Sequence, residues 1–104
     1  MEDNDLQYLN QYMVEFDVPP LSDDLLDLIP DQRDVVDDMF ASGKLLSYSL
    51  TEDRRKLWAV MLAQSESELI MLIDMLPMTG YMDYNYHELM FHNTVHLIPS
   101  MSLN

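Results

Sequence analysis

The amino-acid sequence predicts an α+β domain in which four strands and two helices follow one another in the order βαββαβ. Residues 11–18 alternate between apolar and polar side chains, residues 22–42 have apolar side chains at helical spacing, and two apolar segments flank a polar turn at 51–55. Strict alternation indicates a strand with one apolar face, whereas helical spacing indicates an amphipathic helix. These patterns favour an antiparallel sheet covered by helices.

The first strand is predicted at residues 11–18, QYMVEFDV. One of its faces carries apolar side chains, namely Tyr12, Val14, Phe16 and Val18. The opposite face carries Met13, Glu15 and Asp17. Pro19 and Pro20 end the strand because neither residue can donate a hydrogen bond to a neighbouring strand.

The first helix is predicted to begin at Ser22, a good N-cap residue, with Asp23 and Asp24 in the first turn where the helix dipole favours negative charge. Gly43 is expected to end it as a C-cap residue. Pro30 lies inside this segment, and a proline in a helix interior removes a hydrogen bond. We therefore expect a kink or a restart of the helix at Pro30.

The middle of the chain is predicted to form a β-hairpin. Residues 45–50 and 56–63 are apolar segments separated by the turn TEDRR. The strand at 56–63 is apolar on both faces, with Trp58, Val60 and Leu62 alternating with Leu57, Ala59, Met61 and Ala63. A strand of this kind is typically buried on both sides.

The second helix is predicted to begin at Ser65, where Ser65 and Glu68 have the spacing of a capping box, and to end at Pro77. The last strand follows from Tyr81 to about Phe91. On this strand Tyr84 and Tyr86 are expected to face the helices. Asp83, Asn85 and His87 are expected to face the other way.

The complete order is that of a ferredoxin-like fold, a four-stranded antiparallel sheet with both helices on one face. This arrangement leaves the second face of the sheet open, although the strand at 56–63 needs cover on both sides. A second copy of the chain is the simplest cover for so small a domain. The sequence thus predicts a homodimer or larger homo-oligomer with sheet packed against sheet.

Four segments of the chain resemble the muconolactone isomerase family of dimeric α+β barrels. They are VEFDV (14–18), ASGKL (41–45), SESELIMLIDMLP (65–77) and LPMTGYMDYNYHEL (76–89). The resemblance covers about residues 11–93, which we take as the domain, preceded by an acidic leader at 1–10 and followed by a tail at 94–104. It implies a dimeric α+β barrel with pockets between helix and sheet or at subunit interfaces. It also implies proton transfer within a small organic molecule without any cofactor.

Composition and charge exclude several classes of function. The formal net charge of −14, with five Lys and Arg against nineteen Asp and Glu, makes nucleic acids and anionic membranes poor partners. The chain has no cysteine, and its longest apolar segment, 57–63, is too short to span a bilayer. The start of the chain is polar and acidic, unlike a secretory signal. We expect a cytoplasmic protein of one domain.

Cofactor and metal sites are not expected. The chain has only two glycines, Gly43 and Gly80, so it lacks a glycine-rich loop for phosphates. His87 and His92 would point to opposite faces of a strand. His92 could align with His96 only on a helix in the tail, and two histidines without a nearby acid are a weak metal signal.

The open face of the predicted sheet holds the candidate site. We expect His87 to be the catalytic base, with Glu15 or Asp17 as its carboxylate partner. Histidine titrates near neutral pH, and a dry environment on the open face could raise the pKa of a carboxylate towards that of histidine. The neighbouring pocket or interface residues are predicted to be Met13, Trp58, Tyr81, Asp83 and Asn85. The alternative is that His87 is an interface or solvated histidine and that the carboxylates are surface charges.

Two functions remain open from the sequence. The first is a cofactor-independent isomerase moving a proton on a small organic molecule. The second is a non-catalytic dimeric α+β barrel module that binds a small molecule or a protein partner. The second strand reads LLSYSLT and the first carries Glu15, so neither supplies the cations that an anionic substrate would need. A cavity holding His87 with Glu15 or Asp17 favours the isomerase, whereas a close-packed apolar seam favours the module.

Overall fold

The computed structural model describes residues 9–93. These residues form four strands, two α-helices and one short 3-10 helix. In chain order these are β1 (Asn10–Asp17), α1 (Asp23–Ala41), β2 (Leu45–Leu50), β3 (Lys56–Ala63), α2 (Glu66–Met75), the 3-10 helix (Pro77–Tyr81) and β4 (Asp83–Leu89). Neither of the α-helices in this part of the chain has the length and apolar character needed to cross a membrane.

The four strands form one antiparallel sheet in the order β2-β3-β1-β4. This order, with the two helices inserted between β1 and β2 and between β3 and β4, is the ferredoxin-like α+β fold predicted from the sequence. The register pairs Val14 with Ala59 on β3 and with Tyr86 on β4. The central strands β1 and β3 therefore carry the middle of the sheet.

The hydrophobic core lies between the sheet and the helices. The apolar face of β1 is buried, since Tyr12, Val14 and Phe16 are at most 1% exposed. Tyr12 meets Tyr86 of β4 edge to face, and Phe16 lies against Tyr84. These contacts confirm that both β4 tyrosines face the helices.

Helix α1 begins and ends where the sequence predicted. The Ser22 hydroxyl accepts a hydrogen bond from the backbone N–H of Leu25 at 3.3 Å, as an N-cap should. At the other end Gly43 has a φ of 78°, the left-handed conformation that glycine adopts most readily. The helix nevertheless runs through Pro30 without a restart.

The segment after α2 differs from the prediction. The Ser65 hydroxyl caps α2 by accepting from the Glu68 N–H, and the helix ends before Pro77. The next five residues form a 3-10 helix, so Tyr81 is not the first residue of a strand. Strand β4 is also shorter than predicted, ending at Leu89.

The face of the sheet away from the helices, which we call the open face, is partly apolar. Val60 in the middle of β3 is only 1% exposed, and Leu62 is half-buried. Trp58 on the same face is 39% exposed in the single chain. The predicted burial of β3 on its open face is thus observed at Val60 and not at Trp58.

Candidate functional site

The open face brings the sequence-predicted site residues onto neighbouring strands. The register places Met13 beside His87, Glu15 beside Asn85 and Asp17 beside Asp83. Because β1 side chains alternate and Val14 faces the helices, these three pairs share the opposite face. On the other side of β1, Glu15 pairs with Trp58 of β3. The structure therefore assembles the predicted set, apart from Tyr81, on one face of the sheet.

A lysine that the sequence did not single out organises the carboxylates of this face. The Lys56 ammonium lies 2.7 Å from a Glu15 carboxylate oxygen and 2.5 Å from one of Asp17. The hydrogen bond from Lys56 lowers the pKa of the Glu15 carboxyl, outweighing the opposing effect of partial burial. The same two carboxylates raise the pKa of Lys56. Glu15 is thus held ionised, contrary to the expectation that a dry environment would raise its pKa.

His87 lies exposed on β4 opposite Met13. It is a diagonal neighbour of Glu15, a relation that separates side-chain origins by roughly 7 Å. Within residues 9–93, both predicted carboxylate partners pair with Lys56, and neither forms an ion pair with His87. The imidazole and the carboxylates therefore share one face of the sheet, and the ion pairs of the carboxylates are with Lys56.

Tyr81 lies at one end of the sheet instead of on it. Together with Asp17 and Asp83 it lines a shallow pocket of about 350 Å³. Its side chain is 49% exposed, and the pocket walls are mostly polar. The titratable side chains that line this pocket, those of Asp17, Tyr81 and Asp83, are all exposed.

A larger pocket lies on the other side of the sheet, between α1 and the ends of β2 and β3. Its volume is about 670 Å³, within the range of roughly 300–1,000 Å³ typical of small-molecule sites. Apolar residues predominate in its lining, and these are Val18, Leu21, Leu26, Ile29, Val36, Leu50, Leu57, Met78 and Met82. Gln32, Arg33, Asp37, Tyr48 and Arg54 complete the lining. We call this the helix–sheet pocket.

Three leucines of the helix–sheet pocket are exposed in the single chain. Leu21, Leu26 and Leu50 are 41%, 47% and 54% exposed, although each is large and apolar. Exposed apolar side chains gathered around one concavity are a common sign of a binding site. The pocket thus has solvent-exposed apolar surface that a ligand could cover.

One buried polar residue, Gln32, fixes the polar side of the helix–sheet pocket. Gln32 is 5% exposed, and its side-chain carbonyl oxygen accepts from the Met78 backbone N–H at 3.0 Å. Its amide nitrogen donates to the Tyr48 hydroxyl, also at 3.0 Å. The residue joins α1, β2 and the 3-10 helix. Burial raises the pKa of Tyr48 and outweighs the opposing hydrogen bond from Gln32, so the phenol stays protonated at neutral pH.

Sequence reasoning missed Gln32 and Tyr48, although one signal was present. Leu25, Leu28 and Val36 form the apolar stripe of α1, and Gln32 occupies the position in this stripe between Leu28 and Val36. A polar residue at a core position of an amphipathic helix needs a buried partner. That spacing predicts a buried polar contact, but it does not identify Tyr48 as the partner.

Metal-ligand geometry is absent from the part of the chain that the structure describes, since no group of three or more His, Cys, Asp or Glu side chains within residues 9–93 could hold a metal ion. His96 lies outside these residues, as do most of the acidic leader and the tail at 94–104.

Comparison with known proteins gives no match to a protein-family model and no significant match to a curated protein.

Proposed function

We propose that this chain is a non-catalytic dimeric α+β barrel module, similar to the muconolactone isomerase family, that binds a small apolar molecule in the helix–sheet pocket. The observation that carries the proposal is the pocket of about 670 Å³ with exposed leucines at its walls and a hydrogen bond between buried Gln32 and half-buried Tyr48. Ligand sites commonly combine an apolar lining with a few fixed polar groups. The ferredoxin-like fold supports the resemblance but is shared by many unrelated proteins.

The open face supports a structural role more strongly than a catalytic one. A general base works best with a pKa near the working pH, whereas Lys56 lowers the pKa of Glu15. Trp58, Met13 and Leu62 leave apolar surface on the same face. A second copy packed there would bury this surface, which contributes about 25 cal/mol per Å² of apolar area. Self-association and a cytoplasmic location stay part of the proposal.

Mapping of ligand contacts by two-dimensional NMR tests the proposal. A set of small apolar compounds with one or two rings is titrated into the protein, and backbone shifts are followed. We expect shift changes at Val36, Tyr48 and Leu57 and none at Met13 or His87. Binding restricted to the open face, or no binding by any compound, would contradict the proposal.

A matched pair of variants sharpens this experiment. Leu26→Gln changes an exposed leucine of the pocket lining, and Leu46→Gln changes a similarly exposed leucine outside it. Both side chains are exposed, so both variants are expected to fold. The first should weaken binding several-fold, and the second should leave the dissociation constant unchanged.

The second candidate function is the isomerase, favoured by the presence of His87 and Glu15 on one face of adjacent strands. In that case His87 would remove a proton from a carbon next to a carbonyl group and return it to another position. Exchange of such protons for deuterium in an unsaturated lactone, followed by NMR, gives the test. A protein-dependent exchange rate that is lost in His87→Gln would favour the isomerase over the binding module.

A further inference from the structure

The polar side of the helix–sheet pocket has a direction of hydrogen bonding that the structure determines. A backbone N–H can only donate, so the Gln32 atom that meets the Met78 N–H must be the side-chain oxygen. The other Gln32 atom is then the amide nitrogen, which also can only donate. The Tyr48 oxygen must therefore accept from Gln32.

This assignment leaves the hydrogen of the Tyr48 hydroxyl to be used elsewhere. A phenol has one O–H donor in addition to its acceptor capacity. Within residues 9–93, the bond from Gln32 is the hydrogen bond found at the Tyr48 hydroxyl, and no acceptor takes its hydrogen. Tyr48 is half-buried and lines the pocket. The pocket thus presents a neutral donor beside an apolar wall.

We propose that the Tyr48 hydroxyl determines ligand specificity by donating a hydrogen bond to the ligand, so that the pocket takes a small apolar molecule carrying a carbonyl oxygen. The inference rests on the proposed function and adds the chemical class of the ligand. Gln32 acts as a positioning residue, because its amide occupies the acceptor side of the hydroxyl and directs the hydrogen away from α1. A purely apolar ligand would leave this donor unpaired, which costs free energy in a dry site.

The test compares two probes that differ in one oxygen, the ketone 1-indanone and the hydrocarbon indane. Dissociation constants are measured by NMR titration of the intact chain. We expect the wild type to bind the ketone about fivefold more tightly, the effect of one neutral hydrogen bond. Equal affinity for the two probes would overturn the inference and leave the proposed function standing. If neither probe binds, both fail.

Two substitutions separate a donor role from a packing role. Tyr48→Phe should bring the affinity for the ketone down to that for the hydrocarbon, with the hydrocarbon unaffected. Tyr84→Phe, at a half-buried tyrosine on the same face of the sheet but outside the pocket lining, should keep the wild-type preference. If Tyr48→Phe weakens both probes equally, the ring acts through packing and the inference is wrong.

A third substitution tests the direction of the bond while keeping the tyrosine. In Gln32→Glu both side-chain oxygens can only accept when the carboxyl is ionised, so the Tyr48 O–H would turn towards α1. At about pH 8, well above the ordinary range of a glutamate carboxyl, the ketone preference should therefore disappear. A preference that survives in a folded Gln32→Glu protein would show that Tyr48 is not oriented by Gln32, and would overturn this account of specificity.

Discussion

At the scale of single residues, the two polar groupings on which the proposals depend have different environments. Lys56 and its two carboxylates lie on the open face, where water screens their charges. Gln32 and Tyr48 lie in the helix–sheet pocket, where burial strengthens hydrogen bonds and penalises unpaired groups. The sequence separates the paired residues by 41, 39 and 16 positions, so neither grouping forms a local motif.

The pH dependence of Glu15 should depend on Lys56. The folded-state pKa lies below the ordinary value of 4.5, so this pairing contributes stability above that value and loses it as the pH falls through the folded pKa. Lys56→Gln removes the main cause of the lowered pKa and should raise the titration midpoint of the Glu15 carboxyl, followed by carboxyl-carbon NMR. Lys44→Gln is the control, because Lys44 pairs with Glu68 at 3.8 Å instead. Equal Glu15 midpoints in both variants would show that Lys56 does not lower this pKa.

Gln32 should also matter for stability. Replacing it with methionine keeps a similar size but removes both hydrogen bonds and leaves the Met78 N–H without its partner. We expect a loss of about 1–2 kcal/mol in the free energy of unfolding, measured with urea. Asp34→Met, on an exposed position of the same helix, should change it by less than about 0.5 kcal/mol. Unchanged stability in Gln32→Met would mean that the buried amide contributes no net stabilisation.

At the scale of elements, the sequence predicts periodic segments well and irregular ones poorly. The bounds of β2 and β3 agree with the prediction, because their apolar segments end at a polar turn. The 3-10 helix at Pro77–Tyr81 has no periodic signal and was missed. Helix α1 passes through Pro30 because Leu25 before it and Val36 after it are both buried. Tertiary packing thus overrides the local preference.

The candidate site shows the same limit. Alternation of side chains placed Asp83, Asn85 and His87 on the open face, since a strand fixes which residues share a side. The helix–sheet pocket could not be predicted in this way. Its polar group joins Gln32 to Met78, 46 residues apart, and that contact depends on how the 3-10 helix packs against α1.

Replacing Pro30 with alanine should stabilise the protein. Proline removes one helical hydrogen-bond donor, and in a helix interior it costs about 3 kcal/mol of stability relative to alanine. This cost is offset by up to about 1 kcal/mol because proline restricts the conformations of the unfolded chain. We therefore expect a gain of about 2 kcal/mol in urea denaturation. Asp31→Ala, the exposed neighbour, is the control. A loss of stability in Pro30→Ala would indicate that the packing of α1 requires the local geometry that proline imposes.

At the scale of the whole molecule, the proposal assigns different roles to the two faces of the sheet. The helix-covered face holds the core and the pocket, whereas the open face leaves Trp58 39% exposed beside the buried Val60. Most of the acidic residues lie in the first 40 residues of the chain, which include α1 in the helix layer. In the proposed dimer, mutual repulsion between helix layers would favour association through the sheets. Ligand binding and self-association should be separable by mutation.

Sedimentation velocity at micromolar concentration is the most direct test of whether self-association uses the open face and ligand binding uses the other. The wild type is expected to sediment as a dimer or larger oligomer, and Trp58→Glu as a folded monomer that still binds the pocket ligand. Phe40→Glu, at an aromatic residue of α1 that is 43% exposed, should sediment as the wild type does. A wild type that sediments as a well-folded monomer would contradict the account, as would loss of pocket binding in a folded Trp58→Glu monomer.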